Sequence, residues 1–179
     1  MAPMPGKMTA FDTDIHVPLV VTGPGVGPGR VIEEIADNID LNPTFTEIGG
    51  AATAANVDGR SLLPLLHGHP VSEWRKAALI EHHGNLKDAS DPDFPGKRGG
   101  NPPTYEAIRG STWVYVEYAA GDKEYHDRTT DPDELRNTYA SLPDDRKASL
   151  HAMLEAVQNC HDTQSCAAAD RSGRSAARK

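Results

Sequence analysis

Residues 113–118 alternate strictly: Trp113, Tyr115 and Glu117 fall on one face of an extended chain, and Val114, Val116 and Tyr118 on the other. A period of two in aromatic and β-branched residues commits this stretch to a strand, because neighbouring side chains on a pleated backbone point to opposite faces. Gly110-Ser111-Thr112 stands before it as a turn, so residues 105–109 are the predicted hairpin partner. After Pro143, the residues Leu150, Met153, Leu154 and Val157 recur at i, i+3, i+4 and i+7. That spacing predicts a helix with one apolar stripe to lay on the sheet.

The first half reads differently. Val17-Pro18-Leu19-Val20-Val21 is a continuous apolar run, the pattern of a strand covered on both faces. The segment TGPGVGPGR at 22–30 follows. It lacks the chemistry of a phosphate loop, since Pro24 and Pro28 remove backbone donors and no Gly-Lys-Ser/Thr comes after it. Asp40 is placed to cap a short helix whose Leu41, Phe45 and Ile48 share a face, with Gly49-Gly50 stopping it. SLLPLL at 61–66 predicts another short helix ending at Gly68, and residues 77–81 a second strand. Residues 84–104 read as one long loop, and Asp131-Pro132-Asp133-Glu134 as a helix start with a capping-box acid.

These elements make the fold class α/β leading into α+β, with a small antiparallel sheet and a terminal helix. The predicted organisation is 1–70 as the end of a large α/β domain, 71–166 as a C-terminal antiparallel subdomain carrying loop 84–104, and 167–179 as a disordered basic tail. Arg171, Arg174, Arg178 and Lys179 give the tail its charge, and it has too little apolar surface to offset ordering entropy. The formal net charge of −8 argues against a nucleic-acid surface. No apolar run approaches the roughly 18 residues of a membrane span. No secretion signal can be read from the N-terminus, so localisation stays open. Cys160 and Cys166 leave three readings open: idle thiols, a small disulfide loop, or a metal corner with His161, where zinc would want about four ligands.

A family resemblance rests on the order of particular words. In the first half these are Gly6-Lys7-Met8-Thr9-Ala10-Phe11-Asp12, Ile15-His16-Val17-Pro18-Leu19-Val20-Val21, Gly23-Pro24-Gly25-Val26, Asn38-Ile39-Asp40-Leu41 with Pro43-Thr44, and Asp58-Gly59-Arg60-Ser61-Leu62-Leu63-Pro64. In the second half they are Tyr105-Glu106-Ala107-Ile108-Arg109, the Trp113 strand, Glu124-Tyr125-His126-Asp127, and Asp131-Pro132 with Glu134 and Asn137. From Gly6 to about Cys166 the chain resembles the C-terminal part of sulfatases of the N-acetylglucosamine-6-sulfatase and arylsulfatase type, in the alkaline phosphatase superfamily.

The resemblance implies the C-terminal portion of the sulfatase α/β fold and, by descent, sulfate-ester hydrolysis. In that family a formylglycine, made from the Cys or Ser of C/S-x-P-S-R, is the nucleophile. Neither Cys160 nor Cys166 is followed by that pattern, and no serine is. The family's calcium ligands precede the Gly-Lys word, so no metal ligand is assigned here, and calcium is expected only in a full-length relative. Met1 therefore reads as a start inside a longer frame or a shortened gene, and the chain is expected to be inactive alone.

By resemblance Lys7 contacts a sulfate oxygen, where an ammonium offsets developing charge, although here it is expected on a frayed end. His82 and His83, at the end of the 77–81 strand, are the substrate-binding candidates. His16 is assigned a structural role, and Glu106 and Arg109 are expected to pair with one another or with solvent. The implied substrate is a sulfate ester, taken only when the missing N-terminal part complements this one. The alternatives are a phosphonate or phosphate ester hydrolase of the same superfamily, and a non-catalytic interaction module or second piece of a split enzyme. No nucleic-acid or membrane partner is expected. Self-association is, because an apolar strand without neighbours is an aggregation template.

Overall fold

The computed structural model describes residues 8–83 and 102–172, with the side chains of 170–172 excepted. Lys7, residues 84–101 of the predicted loop and residues 173–179 of the predicted tail lie outside the described residues. The chain gathers into two compact units, Met1–Val17 with Leu79–Leu142, and Pro18–Ala78 with Pro143–Lys179. The boundary expected at residue 70 is thus not where the contacts divide. The N-terminal residues join the later sheet, and the C-terminal helices join the earlier half.

The first unit is built on the predicted hairpin. β2 (Tyr105–Gly110) and β3 (Trp113–Tyr118) pair antiparallel, with Tyr105 opposite Tyr118 and Arg109 opposite Val114. β4 (Lys123–Asp127) pairs antiparallel with β3, and β1 (Ala77–His82) completes the order β1-β2-β3-β4. Because directly opposed residues share a face, this register gathers Tyr105, Ala107, Val114 and Val116 on one side. They form a core with Ala10, and Ile80 and Tyr118 pack against it. On the opposite face Ile108 and Tyr115 are 0% exposed. There Tyr139 stacks on Tyr115 at 5.9 Å. The Tyr115 hydroxyl donates to Glu117, which Lys123 meets at 3.0 Å. Each side chain buried in this way contributes about 1.5–3 kcal/mol. Gly110 closes β2 against the Trp113 ring, where a β-carbon would collide.

Two expectations fail in this unit. Residues 131–134 start no helix. Glu134 instead takes a left-handed backbone (φ 55°) and turns its side chain inward, buried. Arg109 does not pair with Glu106. The two lie three positions apart on a strand and so face opposite sides, and Arg109 reaches Asp12 instead.

In the second unit, a 3-10 turn (Asn38–Asp40) leads into α2 (Leu41–Ile48), followed by α3 (Leu63–Leu66). Leu62, Leu65 and Leu66 form a core with Val26, Ile32, Val71 and Trp74 around them. The predicted stripe of α2 is not what holds it. Leu41, Phe45 and Ile48 are exposed, whereas Pro43 and Thr44 are buried. Thr44 explains the rotation: its hydroxyl donates to the Asp40 carbonyl (2.6 Å) and accepts from the Leu62 N–H (2.9 Å). A polar hub decides which way the helix turns.

Residues 17–21 form no strand, and Val17, Leu19, Val20 and Val21 are exposed, Val20 by 85%. A strand exists only through its neighbours' hydrogen bonds, and among the described residues no strand pairs with this run.

α4 (Asp144–Gln158) buries Leu150, Met153 and Leu154 as its spacing predicts, and packs against α5 (Thr163–Ser172). α5 overturns the first part of the expected disordered tail: helix continues through 167–172, and Ala169 is buried. Three devices order it, two of them local. Cys160 and Cys166 form a disulfide, which settles the three readings left open for them. Asp162 caps the helix by accepting the Ser165 N–H at 2.6 Å, which holds its carboxyl below the usual range. The Thr163 hydroxyl donates to the Val57 carbonyl at 2.7 Å. Among the described residues no helix is long and apolar enough to cross a membrane.

Candidate functional site

β1 ends at His82, whose ring stacks on Tyr105 at 5.5 Å and 27°. Tyr105 opens β2, its ring edge meets Tyr118 at 5.8 Å, and its hydroxyl donates to the Met8 carbonyl at 2.9 Å. The structure thus links one predicted site residue, His82, through Tyr105 to the backbone next to another, Lys7, which itself lies outside the described residues. His83 follows the strand end and is exposed, with no place in this group. In the sequence Tyr105 marks the start of a hairpin strand and of one family word, with no site role attached. Its register opposite Tyr118 was the signal that could have singled it out.

Burial, and then the neighbouring Tyr118 and Asp14, push the Tyr105 phenol up to about 12. Burial also pushes Tyr118 up to about 12, with Glu124 next to it adding to the effect. Both phenols are therefore protonated near neutral pH, able to donate a hydrogen bond but not to act as bases.

The second feature is an ion network around α1 (Asp12–Ile15). Asp12 accepts from Arg109 Nη2 at 2.7 Å and Nε at 3.2 Å, and from Arg128 Nη2 at 2.6 Å. Its own backbone N–H donates to Glu134 Oε2 at 2.7 Å, and Glu134 Oε1 faces Arg128 Nε at 3.5 Å. His16 Nδ1 lies 3.4 Å from Asp12 while its side chain is mostly in solvent, so the structural role assigned to it is a light one. Burial acts to raise the Asp12 carboxyl. The Arg109 hydrogen bond and the charges of Arg109, Arg128 and His16 outweigh it and hold the group below its usual value. Two guanidinium groups and two carboxylates meet here, and among the described residues Arg128 Nε and Glu134 Oε1 are buried without a hydrogen-bond partner. The network fixes the N-terminal segment onto the sheet.

In the other unit the strongest polar centre is Asp40, 0% exposed. It forms a bidentate pair with Arg75, whose Nη2 donates at 2.6 Å, and accepts the backbone N–H groups of Arg60 (2.8 Å) and Asp37 (2.9 Å). Arg75 also lies 5.8 Å from the Trp74 ring, whose Nε1 donates to the Ile35 carbonyl at 2.7 Å. Every strong acceptor of Asp40 is used, which makes it a structural hub. Among the described residues no three His, Cys, Asp or Glu side chains are grouped as a metal would need.

Across residues 6–160 the chain matches the family described as N-sulphoglucosamine sulphohydrolase, C-terminal. It is 29% identical over 174 residues to N-acetylglucosamine-6-sulfatase of Homo sapiens, covering 86% of this chain and 32% of that protein. It is 32% identical over 148 residues to arylsulfatase K of Xenopus laevis, covering 77% of this chain and 25% of that one. Among solved structures, the phosphonate monoester hydrolase from Silicibacter pomeroyi superposes with a TM-score of 0.66 at 30% identity, over 88% of this chain and 32% of that chain. The chain spans a third or less of the length of these relatives.

Proposed function

Since the chain belongs to the sulfatase family through its C-terminal domain, we propose that it supplies the C-terminal subdomain of a sulfuric-ester hydrolase and catalyses nothing alone. The match over residues 6–160 carries this reading. The geometry supports it. In the most elaborate polar constructions, at Asp12 and Asp40, the aspartate carboxylates are held by arginines and serve as anchors. The chain has no C/S-x-P-S-R from which a formylglycine nucleophile could come. Without a covalent route, a single lysine cannot supply the roughly 8 kcal/mol of barrier lowering that even a modest enzyme provides.

Lys7 enters this reading as the sulfate contact, and its support is indirect: the next residue, Met8, is tied by its carbonyl to Tyr105. His82 stacks on the same tyrosine and is the substrate-facing candidate beside it. His83 belongs to the reading only by its place after the strand.

The described residues do not fit the calcium the family implies. Calcium takes about six to eight oxygen ligands, whereas the best-placed carboxylates, Asp12 and Asp40, are consumed by arginines. In this reading the metal and the nucleophile both come from the part of the fold that the relatives have and this chain does not span, and sulfate ester is bound only when that part is present. The likeness to a phosphonate monoester hydrolase supports a second reading, in which the completed site acts on a phosphonate or phosphate ester. An interaction module without catalysis is the third.

The test is turnover of nitrocatechol sulfate and of a nitrophenyl phosphonate ester by the purified chain. Background rates with both are expected. Turnover that co-purifies with the chain and falls in Lys7→Ala would contradict the proposal.

A further inference from the structure

Prolines disqualify the segment 22–30 as a backbone phosphate loop, yet it takes part in a different cationic construction. Gly25 has a left-handed backbone (φ 80°) and lies against the His67 ring, where a β-carbon would stand 2.7 Å from Nε2. Gly68, just past α3, has φ 77° and lies against the Arg30 guanidinium, where a β-carbon would stand 2.9 Å from Nη1. Each of the two turns thus admits the basic side chain of the other through a glycine. Arg30 Nη1 is fixed by donating to the Leu66 carbonyl at 3.0 Å. The turn that carries both histidines is held by its backbone. The Gly68 N–H donates to the Leu65 carbonyl at 3.0 Å, and the His69 N–H to that of Pro64 at 2.8 Å. The His67 and His69 rings meet edge-on at 6.0 Å. All three basic residues are exposed, and among the described residues none of them pairs with an acid, in a chain of net charge −8. A guanidinium has five N–H donors, and here only the bond to Leu66 commits one.

We propose that Arg30, His67 and His69 form a binding site for a tetrahedral oxyanion, a sulfate or phosphate group, free or as an ester. The guanidinium supplies a planar fork of donors that matches such a group, and the imidazoles add charge-assisted donors when protonated. Two imidazoles alone would also suit a transition-metal ion. The guanidinium held against Gly68, between the two histidines in the chain, opposes a cation and favours an anion. The site is independent of the catalytic reading above, since it uses none of Lys7, His82 or the Asp12 network.

The test is an NMR titration of the full chain with sodium sulfate at about pH 5.5, on the acid side of the ordinary histidine range, with ionic strength held constant by chloride. Saturable shifts are expected at Arg30, His67 and His69. Arg30→Gln, and His67→Gln together with His69→Gln, should each weaken sulfate about tenfold or more. Arg136→Gln, which removes an exposed cation of the sheet unit, should leave the affinity unchanged. Gly68→Ala keeps every charge but displaces Arg30, and should weaken sulfate as much as Arg30→Gln does; charge alone would leave it unchanged. Should melting show Gly68→Ala to be unfolded, Arg30→Lys takes its place, because it keeps the charge and loses the fork. Saturation by methyl sulfate or methyl phosphate assigns an esterified group, and saturation by the inorganic ions alone assigns a free one. Shifts that never saturate, or that Arg30→Gln and Arg136→Gln reduce alike, mean an adventitious ion only and overturn the inference. So does saturation by zinc with none by sulfate, because the imidazoles would then be a metal site.

Discussion

The sheet of the first unit and the 18–48 stretch of the second are both rich in large apolar residues, yet they end in opposite environments. In β2 and β3, Ile108, Val114, Tyr115 and Val116 are buried almost completely. In 18–48, Leu19, Val20, Phe45 and Ile48 stand in water. The difference is where the partners come from. β3 finds its neighbours within a few residues on either side, through tight connections at 111–112 and 119–122, and Ala10 and Tyr139 cover the two faces. The 17–21 run has no complementary strand in the described chain. Apolar composition makes burial favourable, but only a paired backbone makes it happen in a strand.

The largest expected effect falls on the polar hub that holds the less self-sufficient unit. Arg75→Ala leaves the Asp40 carboxylate buried and uncompensated, and should cost about 3–5 kcal/mol in urea unfolding. The double variant Asp40→Leu with Arg75→Met should recover most of it. If Arg75→Ala alone is mild, the hub is not what orders α2. In the sheet, Ile108→Ala should cost about 2–5 kcal/mol, because it opens a cavity in a fully covered face.

A smaller effect, with a pH signature, is expected at Asp12. Asp12→Ala removes charge-assisted bonds to Arg109 and Arg128 and should cost about 2 kcal/mol at pH 7. The folded-state carboxyl sits below its ordinary value of 3.8, so the stabilisation is present above 3.8 and is lost as the pH falls through the lower, folded value. Melting curves of wild type and variant should converge below pH 3.8; a constant gap would mean that the network's charge is not what binds the segment. Smallest of all is Phe45→Ser, within about 0.5 kcal/mol in the isolated chain despite the residue's size, because its ring is already in water. A cost like that of Ile108→Ala would erase the contrast between the two regions.

What the sequence made legible follows the same division. The hairpin, its faces, β1, α3 and α4 were readable because period and turn residues are local signals. The Asp12 network was not, since Arg109 and Arg128 lie 97 and 116 positions away. Glu134 shows the conflict most clearly: its local word, Asp131-Pro132-Asp133-Glu134, reads as a capping box. Its carboxylate is claimed instead by the Asp12 N–H 122 positions away and by Arg128. Asp40 was read as a cap for α2 and is a buried ion-pair hub, which only the distant Arg75 reveals. Of the site candidates, His82 could be placed at a strand end from sequence. Its stacking partner Tyr105 followed only from the order of β1 and β2.

Native-state hydrogen exchange on the dilute isolated chain tests the contrast most directly. The account predicts that the amides of Val114 and Val116, paired on both sides in the sheet, exchange slowest, near the global unfolding rate. It predicts that those of Leu19, Val20 and Val21 exchange at close to unstructured rates. Equally slow exchange at both places in a monomer would contradict it, and would mean that 17–21 already has its partners.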